Sequence, residues 1–196
     1  MNISLPFCLV NNNVAKDRLE IMPAYWWMYN MYAIARNTSK YLNRDTRKRR
    51  IQNIEFETLA PDTIEEIIAA CKMLEVWTAK SYLRSQNEDA DKYEYHELRA
   101  LGRDLMTKPE IVNKLEILGE NIEKSDRKVV ILKTYNAYHA YRDMIVIYAM
   151  DAITKYMINK NTFDYDLMYK EFDGLRRKVF KTTNSVSYEY TCIFWF

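Results

Sequence analysis

Apolar side chains recur every three or four positions along most of this chain, which is the spacing of amphipathic helices. The pattern is clearest after Pro61, where one helical stripe contains Ile64, Ile67, Ile68, Cys71 and Leu74. Asp62 and Glu65 match a capping box, in which two side chains bind the backbone amides at the start of a helix. The sequence therefore predicts a helix that begins near Pro61.

Five further segments show the same period or a helix start signal. They cover about residues 23–42, 93–105, 107–122, 126–159 and 164–180. Pro23 suits a first helical turn because its missing N–H costs nothing there, and Ser125 is a candidate cap for the longest segment. Together these segments predict an all-α fold of five to six helices packed as an irregular bundle.

The two ends of the chain depart from this period. Residues 1–22 contain a short apolar run that cannot bury itself, so we expect an extended arm packed on the helices. Residues 23–181 would form the helical domain. Residues 182–196 have β-type composition and end in Ile193-Phe194-Trp195-Phe196, which indicates an irregular, atypical tail left by a truncation or a frameshift.

Composition supports long elements with few turns. The chain has 196 residues, enough for one domain, but only three glycines and four prolines. Sheets of this size need many tight turns, which glycine and proline usually provide. Scarce turn residues therefore favour helices.

Charge, hydrophobic run length and cysteine spacing bear on whether the protein binds nucleic acid, spans a membrane or contains disulfides. The 29 basic and 27 acidic residues nearly balance, which argues against a general nucleic-acid binder. No uncharged apolar run approaches the ~20 residues of a membrane span. The three cysteines are widely spaced and form no CxxC pair, so a reducing, cytoplasmic location is the simplest interpretation.

Candidate chemical residues are few. His96 and His139 are the only histidines in the sequence. His139 stands four positions before Asp143, but this pair alone offers too few ligands for a metal site. No nucleophile has a base at useful spacing, and no glycine-rich phosphate loop occurs. The sequence therefore assigns no catalytic residue, no metal ligand and no cofactor. Its candidates for polar contacts are Arg36, Tyr138, His139 and Arg142.

The segment Pro23–Arg50 joins an aromatic block to a basic run. Apolar residues surround the helix axis from Tyr25 to Ile34, which predicts burial on most sides. The basic patch that follows contains Arg44, Arg47, Lys48, Arg49 and Arg50. Aromatic rings beside arginines can stack nucleic-acid bases or bind an anionic ligand. A partner-facing helix end is the competing interpretation.

Several of these segments carry a resemblance. Residues 4–10 (SLPFCLV), 18–37 (RLEIMPAYWWMYNMYAIARN), 128–133 (KVVILK) and 140–144 (AYRDM) resemble a family of uncharacterised bacterial proteins. In that family an N-terminal left-handed β-helix of hexapeptide repeats precedes a helical C-terminal domain. The β-helix is similar to that of sugar-nucleotide acyltransferases and pyrophosphorylase-related proteins. This chain resembles the helical domain alone, without hexapeptide repeats.

The resemblance implies an accessory docking domain. Such a domain would pack on a β-helix module or self-associate, and could help to complete a sugar-nucleotide site. The alternative is a small helical enzyme that acts on an activated sugar or nucleotide, in which His139, Arg142 and Asp143 would converge in one pocket. A third hypothesis is nucleic-acid or anionic-ligand binding through the basic run at 44–50. The missing β-helix makes an enzymatic role for this chain alone the less favoured interpretation.

Overall fold

The computed structural model describes residues 3–48, 56–122 and 127–160, together with residues 164, 166, 169 and 170. The chain divides into two compact units, Met1–Met144 and Ile145–Phe196. Most of the predicted helix over 164–180 and the whole predicted tail over 182–196 lie outside the described residues. Most described residues belong to the first unit.

A four-stranded mixed sheet lies in the first unit, so the all-α prediction is wrong. Its strands are β1 (Leu9–Asn13), β2 (Arg18–Met22), β3 (Ile117–Leu118) and β4 (Lys128–Ile131), in the order β1-β2-β4-β3. β2 and β4 pair in parallel at the centre, while β1–β2 and β3–β4 are antiparallel pairs. The residues predicted to form an extended arm therefore contain a β-hairpin that is part of the sheet.

One face of the sheet is apolar and buried. Its side chains are Leu19, Ile21, Ile117, Val129 and Ile131. Leu19 pairs with Val129 and Ile21 with Ile131 across the parallel strands, which places these side chains on one face. Because strand side chains alternate, Glu20 and Val130 turn to the opposite face. The apolar face anchors the sheet in the core.

The chain makes tight turns without glycine. Six described residues other than glycine have a left-handed backbone: Phe7, Asp17, Ala24, Asn87, Asn121 and Lys133. Asp17 ends the 3-10 turn Val14–Lys16 that joins β1 to β2, and Lys133 joins β4 to the helix that follows. Asparagine and aspartate adopt this conformation at modest cost. Glycine scarcity therefore did not exclude a sheet in this chain.

The helices are α1 (Tyr25–Tyr29), α2 (Met31–Arg44), α3 (Pro61–Ser85), α4 (Tyr95–Leu105), α5 (Pro109–Val112) and α6 (Thr134–Lys160). α3 begins at Pro61 as predicted. Its N-cap is Ala60, and Asp62 lies within the first turn, so the predicted capping box does not form. Among the described residues, no helix is long and apolar enough to cross a membrane.

Three predicted helices are shorter or interrupted. The segment predicted over 23–42 breaks at Asn30, which separates α1 from α2. The segment predicted over 107–122 is helical only in α5 and then enters β3. The longest predicted helix starts at Thr134, since Lys128–Ile131 form the central strand β4. The β-branched run Val129-Val130-Ile131 suits a buried strand.

α3 is the central helix of the first unit. Its buried side chains include Ile67, Leu74, Trp77 and Leu83, and α4 packs along it. Ala79 and Leu83 of α3 meet Leu98 of α4 in one buried cluster. α3 also contributes a buried carboxylate, Glu75, which side chains of α4 and α6 contact.

Candidate functional site

Glu75 is the centre of a buried polar cluster. It is 3% exposed, and an isolated carboxylate at that depth would be strongly destabilising. Arg99 Nε of α4 donates to Glu75 Oε2 at 2.9 Å, and Arg103 Nε lies 3.3 Å from Oε1. The Tyr138 hydroxyl of α6 donates to Oε1 at 2.9 Å. The carboxylate thereby ties α3, α4 and the first part of α6 together.

Two neighbours of Glu75 remain protonated at neutral pH. Burial, then the charge of Glu75, raises the pKa of the Cys71 thiol to about 12. Burial and the Glu75 carboxylate also raise the pKa of the Tyr138 phenol above its usual range. The Arg142 guanidinium opposes both shifts. Tyr138 therefore acts as a fixed hydrogen-bond donor, and Cys71 is a core thiol without nucleophilic character.

The His139 ring is hydrogen-bonded to the backbone carbonyl of Met106. Its Nε2 lies 3.0 Å from the Met106 carbonyl oxygen, and the ring is half-buried. It stacks at a tilt on Tyr135 with ring centroids 4.5 Å apart, and it meets the edge of Tyr138 at 5.6 Å. This geometry is that of a histidine that holds the end of α4 against α6.

The four predicted contact residues do not form one site. Tyr138 and His139 are engaged in internal hydrogen bonds, whereas Arg142 and Asp143 are exposed on the same helix. Arg36 is exposed on α2. None of these residues lines the cavity of about 270 Å³ or the cavity of about 540 Å³ that described residues of the first unit enclose.

The aromatic block is more exposed than its pattern predicted. α1 contains no buried residue. Trp26 is 37% exposed, Tyr29 55% and Tyr32 76%, and Met31 beside them is 49% exposed. We call these four side chains the aromatic face. Trp27 is half-buried on the other side of α1, where its ring lies 6.3 Å from that of Phe7. Arg36 follows Tyr32 by one helical turn.

The basic patch is partly neutralised. Arg47 Nε and Nη2 each donate to the Asp45 carboxylate at 2.8 Å. Arg44 and Lys48 are exposed, and Arg49 and Arg50 lie outside the described residues. A two-point arginine–carboxylate pair is strong and geometrically fixed. This arrangement reduces the cationic character of the run that the sequence singled out.

A second polar network lies on the sheet face opposite the apolar one, where Glu20 and Val130 are found. Arg18 Nε and Nη2 donate to Glu20 Oε1 at 2.8 and 2.6 Å, and Asn11 and Asn13 of β1 donate to the same carboxylate. These hydrogen bonds, that of Arg18 first, lower the pKa of Glu20. Arg18 also reaches Glu116 at 3.2 Å, and Lys128 Nζ binds Glu116 at 2.5 Å. Sequence reasoning missed this network because its members meet only through strand pairing.

The larger cavity lies beside this network. Arg18, Lys114, Glu116 and Lys133 are its charged lining residues. None was singled out from the sequence, since Lys114 and Lys133 stand in separate loops without a motif. Within the described parts of the chain, no group of three or more His, Cys, Asp or Glu side chains could hold a metal ion.

Comparison with known proteins adds one relative. An uncharacterised protein of Treponema pallidum (strain Nichols) is 36% identical to this chain over 157 residues. The match covers 80% of this chain but 20% of the relative, so the chain spans about a fifth of the length of the protein it matches. No protein-family model matches the sequence. No solved structure matches it.

Proposed function

We propose that this chain is an accessory docking domain whose aromatic face packs on another module, of the β-helix class that the sequence resemblance implies. The observation that carries the proposal is the exposure of Trp26, Tyr29, Met31 and Tyr32 on adjoining parts of α1 and α2. Aromatic residues and methionine are enriched at protein interfaces. An exposed apolar patch of this kind commonly marks a site of interaction.

Two further observations support docking. The Treponema relative is about five times longer than the segment it shares with this chain, as expected where such a domain accompanies other modules. Arg36, exposed one turn beyond Tyr32, offers a charged group beside the aromatic face. Interfaces combine an aromatic centre with arginines and a polar rim.

The geometry favours docking over the enzymatic alternative. The alternative requires His139, Arg142 and Asp143 to converge in a pocket, but His139 binds the Met106 carbonyl and Arg142 and Asp143 are exposed. Nucleic-acid binding through residues 44–50 is also less favoured, because Asp45 neutralises Arg47. We retain the cytoplasm as the proposed location, on the spacing of the three cysteines.

The test is co-expression of this chain with the part of the Treponema relative that lies outside the matched segment. We expect a complex in size-exclusion chromatography with light scattering. The double substitution Tyr29→Ser and Tyr32→Ser should weaken it at least about tenfold, since interface aromatics often contribute about 2 kcal/mol each. Tyr95→Ser is the matched control, because Tyr95 is 56% exposed and belongs to α4 rather than to α1 or α2.

Other outcomes are equally informative. A homodimer that forms without the partner and dissociates on Tyr29→Ser and Tyr32→Ser would identify self-association as the docking mode. A monomer that ignores the partner overturns the proposal. Equal weakening by Tyr95→Ser would also overturn it, because the aromatic face would then have no special role.

A further inference from the structure

The larger cavity is a cleft at the carboxyl ends of the two parallel strands. Met22 ends β2, Ile131 ends β4 and Leu132 follows it, and all three residues line the cleft. Its volume is about 540 Å³. Small-molecule sites usually measure ~300–1,000 Å³ and often lie beyond the carboxyl ends of parallel strands. The position and size of the cleft therefore suit a small ligand.

The floor of the cleft is apolar. Val112 of α5 and Val130 of β4 are 2–3% exposed and line it, and Val130 lies on the same sheet face as Glu20. A surface built from strand side chains is held in place by the sheet rather than by a mobile loop. An apolar floor of this kind can receive a ring or carbon skeleton.

The rim of the cleft is cationic. Lys114 and Lys133 line it from two different loops, both side chains are exposed, and neither has an ion-pair partner within the described residues. Glu116 is the one acidic side chain of the lining, and it is already paired with Arg18 and Lys128. Among the described residues, therefore, no carboxylate neutralises either lysine.

Polar donors complete the rim. Asn113 and Asn136 also line the cleft, and their side-chain amides make no hydrogen bond with the described residues. The left-handed Lys133 turns the chain directly into α6, and Ala137 N–H is bonded to the Lys133 carbonyl at 2.9 Å. The amides of Thr134 to Asn136 precede that bond and have no acceptor within the helix. They add the partial positive charge of the helix start to that of the lysines.

We propose that this cleft binds a small phosphate ester, with the phosphate between Lys114 and Lys133 and the organic part over the Val130 floor. A phosphate carries nearly two negative charges at neutral pH and accepts several hydrogen bonds. Two lysines and two side-chain amides that have no partner among the described residues match that chemistry. None of the residues that line the cleft belongs to the aromatic face, so this inference does not depend on the docking proposal.

The experiment titrates the purified chain with inorganic phosphate, a hexose phosphate and a nucleoside monophosphate. Backbone amide shifts in NMR report the site directly. We expect saturable shifts at Asn113, Lys114 and residues 133–136, with tighter binding of one ester than of inorganic phosphate. Lys114→Gln and Lys133→Gln should each weaken that ester about tenfold, and the double variant should abolish saturation at millimolar concentration.

Lys92→Gln is the matched control. Lys92 is also exposed, has no ion-pair partner among the described residues, and lies in the 3-10 turn Ala90–Lys92 rather than on the cleft. Its substitution should leave binding unchanged. Absence of saturable shifts with any probe overturns the proposal, as does undiminished binding by the double variant. Inorganic phosphate binding as tightly as both esters would overturn the role of the apolar floor.

Discussion

Gly102 of α4 lies directly against the backbone of Glu75 in α3, so that a Cβ on Gly102 would overlap the Glu75 carbonyl oxygen. The two helices approach this closely because Gly102 has no side chain. The same approach places Arg99 and Arg103, on either side of Gly102, within reach of the Glu75 carboxylate. The absence of a side chain at Gly102 thus permits both the close packing of α3 on α4 and the buried ion pairs of Glu75.

Substitution Gly102→Ala should destabilise the chain by about 3 kcal/mol or more, because backbone must move to accept the new methyl group. In an exposed helix the same change would stabilise the fold by about 1 kcal/mol. The sign of the change in unfolding free energy therefore distinguishes close backbone packing at Gly102 from an exposed position. Urea denaturation followed by circular dichroism measures it. Gly119→Ala is the comparison: its added Cβ would meet the side-chain ends of Ile122 and Ile131, at 2.6 and 3.0 Å, which can shift. A neutral Gly102→Ala would contradict the described packing.

Tyr138→Phe should cost about 2 kcal/mol of unfolding free energy, because it removes a hydrogen bond to a buried charge. The matched variant is Tyr141→Phe, whose hydroxyl donates at 2.6 Å to the neutral carbonyl of Pro6. That loss should be smaller, about 1 kcal/mol. Chemical denaturation of both variants gives the comparison. A larger loss for Tyr141→Phe would show that the Glu75 charge adds nothing to the Tyr138 bond.

Glu20 should make stability depend on acidic pH. Its pKa lies below the usual 4.5 in the folded chain, so its carboxylate stabilises the fold above that value. As pH falls below about 4.5, the unfolded chain takes up the proton first, and this contribution is lost. Urea midpoints between pH 3 and 7 should therefore fall less steeply for Glu20→Gln than for the unchanged chain. An equally steep fall for Glu20→Gln and the unchanged chain would contradict this role of Glu20.

Cys71 should resist alkylation in the folded state. Burial raises its pKa to about 12, so almost no thiolate exists at pH 8 and the sulfur is shielded from reagents. Iodoacetamide labelling read at each cysteine by mass spectrometry should modify Cys71 only after denaturant is added. Cys8, which is half-buried, provides an internal comparison within the described residues. Rapid native labelling of Cys71 would show that the α3 core opens readily.

Local sequence signals predicted some elements and could not predict others. α3 was found because its period runs through many turns and Pro61 marks its start. β4 was missed because it is short and pairs with β2, which is far away in the chain. β1 was missed because its polar residues Asn11, Asn12 and Asn13 have the composition of a turn. Local residue patterns can indicate which residues suit a strand, but they do not show which strands pair with one another.

The candidate sites divide in the same way. Tyr138, His139 and Arg142 were identified from their spacing on one helix, yet the structure gives the first two internal partners. Lys114 and Lys133 form a cationic rim only because β3 and β4 bring their loops together. A single isolated lysine in a loop carries no local signal of that juxtaposition.

The parallel pairing of β2 with β4 also affects how the chain folds. Arg18 meets Glu116, 98 positions later, and β4 comes later still. Contacts of such long range slow folding, because the entropy of closing the loop is lost before the contacts form. During synthesis the β1–β2 hairpin cannot pair with β4 until almost the entire first unit has been made. Its open edge would meanwhile need protection from other chains.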